Sequence, residues 1–82
     1  VSEIQFPIFC QLKGGNSFYR VDSHTHMTEY QRIGSRYTVY TLEAKILPER
    51  NMIMDLIEDV ERYERMSEEE FEGMVKELKS RI

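Results

Sequence analysis

The sequence predicts an α+β domain: a four-stranded antiparallel β-meander followed by two helices packed on one face. Two observations carry this. Apolar residues recur with a period of two in the first half of the chain and at helical spacing in the second. The boundary between the two regimes is marked by Pro48, where the strand pattern stops.

The first strand is written in Ile4, Phe6, Ile8, Cys10 and Leu12, which alternate with Gln5, Pro7, Phe9, Gln11 and Lys13. This is the pattern of a half-buried strand. Pro7 has no amide donor and implies an edge position or an amide that faces away from a neighbour. The run Lys13–Asn16 (KGGN) supplies a turn, and SFYRV after it resumes extended character, giving a hairpin. Asp22–Thr25 (DSHT) is a second turn, built of side chains that bond their own backbone. A third strand, MTEYQRI, ends at Gly34. The fourth, YTVYTLEAKI, is rich in β-branched and aromatic residues. Tyr40, Leu42, Ala44 and Ile46 share one of its faces, and Tyr37 and Val39 take the other.

After Pro48 the apolar residues Ile53, Leu56, Ile57 and Val60 fall at i, i+3, i+4 and i+7, flanked by Met52, Met54 and Tyr63. They define a first helix opened by Pro48 or Asn51. Ser67 and Glu70 have the spacing of a capping box, with Met66 and Phe71 placed as a hydrophobic staple. Phe71, Met74, Val75, Leu78 and Ile82 form the apolar stripe of the second helix. A break near Arg65 and Met66 separates the two helices. Two helices on one face leave the other face of the sheet free.

The 82 residues predict one domain, 1–82, with strands over about 4–46 and helices over about 49–82. The single cysteine, Cys10, cannot form an internal disulfide, which fits a reducing, cytoplasmic setting. No apolar run approaches membrane-spanning length and no basic-then-apolar start suggests a secretory signal, so no membrane association is expected. Through Lys45 the chain carries five bases and four acids, net +1. Beyond it stand six bases and eleven acids, net −5, which completes the net −4 of the chain. An acidic second half argues against generic binding to nucleic acid or anionic membranes.

Three constellations compete as functional sites. His24 and His26 are the candidate metal ligands, because residues i and i+2 of a strand point the same way. A stable site needs further ligands; Asp22, Glu29 and Cys10 are the available ones, and nothing fixes them in place. A polar turn with exposed histidines is the preferred reading, and no cofactor is expected. Cys10 as a nucleophile requires an accessible thiolate, yet its strand phase places it with Ile8 and Leu12 in the core. The third constellation is aromatic and cationic: Phe18, Arg20, Tyr30, Arg32, Tyr37 and Tyr40, with Tyr19 and Arg36 beside them. Tyrosine, phenylalanine and arginine are enriched in the centres of protein interfaces. The reading is therefore a small non-catalytic interaction module, a homodimer that self-associates through an uncovered sheet face or edge. Single-stranded nucleic acid stacking on the same rings is the alternative. A metal-dependent or cysteine enzyme comes third.

Overall fold

The computed structural model describes residues 4–80. In chain order the elements are β1 (Ile8–Leu12), β2 (Ser17–Val21), β3 (His26–Ile33), β4 (Arg36–Glu43), α1 (Leu47–Glu58), β5 (Tyr63–Met66) and α2 (Glu68–Lys79). The strands build one antiparallel sheet in the order β4-β3-β2-β1-β5. The α+β class, the four-strand meander and the two helices are as the sequence predicts. Two details differ. A fifth strand joins the far edge, and the helices lie on opposite faces rather than on one.

The alternation within β1 shows how. Ile8 and Cys10 face one way and pack with Tyr19, Val21, Met27, Leu42 and Ala44 against Ile53, Leu56 and Ile57 of α1. Phe9 faces the other way and packs with Phe18 against Phe71 of α2. Three consecutive residues of β1 and three of β2 are therefore buried. A two-sided strand of this kind loses the clean polar face that a half-buried one keeps. Met27, Ile53, Leu78, Val21 and Cys10 are the largest fully buried side chains. Each of the aliphatic ones contributes roughly 1.5–3 kcal/mol by leaving water, more than any single cap or surface pair. Ile82 lies outside the described residues.

The first helix stops at Glu58, so Val60 and Tyr63 do not extend its apolar stripe. Val60 is 71% exposed. Asp59 ends the helix by accepting bonds from the amides of Glu61 and Arg62 and from Arg62 Nε at 2.6 Å. These bonds hold the Asp59 carboxyl below its ordinary pKa. Carbonyls at the helix end and in the turn after it find cations elsewhere in the fold. Arg65 donates to the Ile57 carbonyl at 3.1 Å, and Lys13 donates to the Val60 carbonyl at 2.8 Å. The chain then runs back along β1, pairing Tyr63 with Leu12 and Met66 with Phe9. Tyr63 thus enters the first core, edge-on to Tyr19 at 5.6 Å.

At its start α1 has Pro48 in the first turn, where a missing amide costs nothing. The Glu49 carboxylate accepts from the amides of Lys45 and Ile46. The second helix begins where the sequence places it. Ser67 Oγ accepts from the Glu70 amide, and Glu70 Oε1 accepts from the Ser67 amide, both at 3.0 Å. Met66 and Phe71 meet in the second core as the staple requires. The bond from the Ser67 amide also keeps the Glu70 carboxyl below its ordinary pKa.

Strand β1 opens after Pro7 rather than at Ile4, since a residue without an N–H cannot donate to the ladder. Gly14 and Gly34 hold φ of 71° and 62°, which the tight turns after β1 and β3 demand. Replacing Ser67 by alanine removes the acceptor for the Glu70 amide and should cost about 1 kcal/mol. The expected readout is a melting temperature lowered by several degrees in thermal denaturation followed by circular dichroism.

Candidate functional site

Five of the six aromatic and arginine candidates lie on the α2 face of the sheet. The register pairs Phe18 with Tyr30, Tyr30 with Val39, and Arg32 with Tyr37. Tyr40 pairs with Glu29 and lies on the α1 face. The six do not form one open platform. Phe18 is buried in the second core, with the Arg32 guanidinium 5.5 Å from its ring centre. Arg32 Nη2 donates to Met74 Sδ at 3.2 Å, and its buried Nε has no hydrogen-bond partner among the described residues. Tyr30 is half-buried, its ring set against Phe71 at 5.7 Å. Arg20 is exposed and bonds the Asp22 carboxylate at 2.7 Å. The geometry joins Phe18, Tyr30 and Arg32 to α2 and leaves Arg20, Tyr37 and Tyr40 around its margins.

The histidines diverge. His24 sits in the turn before β3, with its ring against Phe6 at 5.0 Å and 81°. His26 begins β3, and its Nδ1 lies 2.9 Å from Thr25 Oγ1 and 3.3 Å from Ser23 Oγ. Its Nε2 is 3.8 Å from Glu43 Oε2. His24 is not on the strand, so the i, i+2 argument does not apply to the pair. Among the described residues no group of three ligand-type side chains converges on a point. Cys10 is fully buried, its thiol directed at the Leu56 carbonyl 3.8 Å away. Burial pushes that thiol up to about 11. A protonated, inaccessible sulfur is a poor nucleophile. Burial likewise lifts the Tyr19 phenol to about 12, which keeps it neutral inside the first core.

What remains open is the far side of the sheet. Neither core cluster covers Val39 or Tyr40, and these are 52% and 51% exposed. Ile33, at the end of the same hairpin, is 54% exposed. Among the described residues strand β4 pairs with β3 alone, and it runs eight residues. Gly34 and Ser35 connect it to β3 with Ile33 opposite Arg36. A two-residue hairpin closes with a pair that exchanges both hydrogen bonds, and bonded and non-bonded pairs then alternate. The backbone N–H and C=O groups of Tyr37, Val39 and Thr41 consequently point outward from the sheet. The charges of β4, Arg36 and Glu43, stand only at its ends. Proteins usually protect such an edge with a lysine, a proline or a bulge. The opposite edge is protected: β5 has four residues, and its centre is Glu64 and Arg65.

Sequence reasoning named Tyr37 and Tyr40 but passed over Ile33 and Val39. Their exposure follows from how far each helix reaches, α2 on the face of Val39 and α1 on the face of Ile33, which the strand pattern does not encode. Among the described residues no helix is long and apolar enough to cross a membrane. Comparison of the chain with protein-family models, with curated proteins and with solved structures finds no match.

The double substitution of His24 and His26 by alanine should change stability by less than about 0.5 kcal/mol, as exposed substitutions usually do. Chemical denaturation measures this directly. Purified protein should carry no stoichiometric zinc that the double variant loses, which elemental analysis checks.

Proposed function

We propose that this chain is a non-catalytic interaction module that forms a homodimer by pairing β4 with β4 of a second copy. The supporting observation is the open edge: outward backbone groups at Tyr37, Val39 and Thr41 between half-exposed apolar side chains. An unpaired strand of this length is a template for another strand. A twofold axis perpendicular to the sheet makes the pairing antiparallel and keeps each face on its own side. Residues opposite one another then share a face, so the axis passes through Val39 or through Tyr40. Either register sets Val39, Tyr40 and the flanking threonines at the centre. Pairs of aromatic and β-branched side chains there each add roughly 0.2–1 kcal/mol.

Base stacking is the weaker reading of the same sheet. The Phe18 ring lies under Arg32 and the Tyr30 ring against Phe71, so neither offers a free face. A cytoplasmic, reducing setting is part of the proposal, because the single thiol is buried and needs no partner.

Replacing Val39 and Tyr40 together by lysine should place four like charges at the dimer centre. Sedimentation at micromolar concentration is expected to move from dimer to monomer, with the circular dichroism spectrum retained because both side chains are half-exposed. A wild-type chain that sediments as a monomer, or a variant that stays dimeric, contradicts the proposal.

A further inference from the structure

A second surface is independent of the β4 edge. Along α2, the residues Glu68, Phe71, Glu72, Val75, Lys76 and Lys79 follow the spacing of one helical stripe. This stripe forms one wall of a trough of about 450 Å³ whose other wall is Pro7, Phe9, Arg20 and Tyr30 of the sheet side. No residue of β4 lines it. The floor is apolar and aromatic: Phe9, Phe71, Val75 and the half-buried ring of Tyr30. Its ends are oppositely charged. Glu68 and Glu72 stand toward the start of α2, and Lys76 and Lys79 toward its end. None of these four makes an ion pair with a described residue. Arg20 is different, because Asp22 already compensates it.

We propose that this trough binds a short linear peptide segment of another protein, with a basic residue at the Glu68–Glu72 end, apolar side chains over Phe9, Tyr30, Phe71 and Val75, and an acidic residue at the Lys76–Lys79 end. Three observations select this occupant. The two charged ends call for a ligand that carries both signs, separated by an apolar middle. Glu68 and Lys79 are eleven helical steps apart, about 16 Å, which an extended chain covers with roughly five residues at about 3.3 Å each. The trough is only partly enclosed, whereas sites for small molecules enclose most of their ligand. A peptide leaves its outer side in water, which suits a partly enclosed trough.

The test is selection from a displayed library of random linear heptapeptides on the immobilised full chain, followed by fluorescence anisotropy with the enriched peptides. Enriched sequences should carry a base and an acid on either side of apolar residues. Lys76→Glu with Lys79→Glu should weaken their binding about tenfold, equivalent to about 1.4 kcal/mol. A peptide whose acid is replaced by lysine should recover affinity for that variant. Lys76→Gln with Lys79→Gln provides the same comparison should the reversal disturb folding, and circular dichroism reports on both. The monomeric Val39→Lys, Tyr40→Lys variant should bind like the wild type, which separates this site from the dimer edge. Three results overturn the proposal: no enrichment above an unrelated immobilised protein, affinity indifferent to both lysine variants, or saturable binding of octanoate at these lysines without peptide enrichment.

Discussion

The pairing of Tyr63–Met66 with β1 is the constraint from which the rest of the arrangement follows. A strand at the edge of a sheet lies in the plane between its two faces. A chain that leaves α1 on one face, runs along that edge and then turns into α2 is delivered to the other face. Asp59 makes the first turn by stopping α1, and Ser67 makes the second by starting α2. Arg65 and Lys13 hold the segment between them by bonding the Ile57 carbonyl of α1 and the Val60 carbonyl of the turn after it. Remove β5, and the helices could share one face, with β1 as a bare edge.

Covering both faces has a consequence for a chain of this size. Twelve-residue helices are too small to roof a five-stranded sheet on both sides. The first helix covers β1 and β2 and reaches β3 at Met27, β4 at Leu42 and the residue after it at Ala44; the second covers β1 and β2 and reaches β3 at Tyr30 and Arg32. Among the described residues nothing roofs the centre of β4 on either face. The same geometry makes the trough, because α2 crosses the sheet without filling the space beside Arg20 and Pro7. Edge and trough are therefore two outcomes of one distribution of cover. The acidic bias of the second half, net −5 by sequence, is carried mainly at helix starts and turns, where the dipole and backbone amides favour it.

Much of this was legible in the residues. The period-two runs placed four strands in order, and the spacing of Ser67, Glu70, Met66 and Phe71 located the start of α2 to the residue. The phase of β4 correctly separated Tyr40 and Leu42 from Tyr37 and Val39. Strand β5 was hidden because Glu64, Arg65 and Met66 are good helix formers. A four-residue segment also offers too few periods to distinguish strand from helix. Its partner on β1 supplies the stability that its composition lacks. A signal for two-sided cover did exist: Phe9 and Phe18 stand at positions that a solvated face would give to polar residues. Read that way, they would have required a second helix opposite the first. The assignment of Phe18 to an uncovered face reversed its role, and with it the role of Arg32, whose guanidinium closes over Phe18. The site residues on the β4 edge were less legible, since exposure at Val39 depends on how far α2 reaches and not on local pattern.

Residue-resolved amide hydrogen exchange at rising protein concentration tests this account most directly. The account predicts that β5 amides bonded to β1 are protected at every concentration, because that pairing belongs to the fold. The amides of Tyr37, Val39 and Thr41 should exchange freely in dilute solution and become protected as copies pair through β4. Unprotected amides throughout 63–66 would contradict the division of the helices between two faces. Amides at Tyr37, Val39 and Thr41 that stay unprotected at all concentrations would contradict the role given to the open edge.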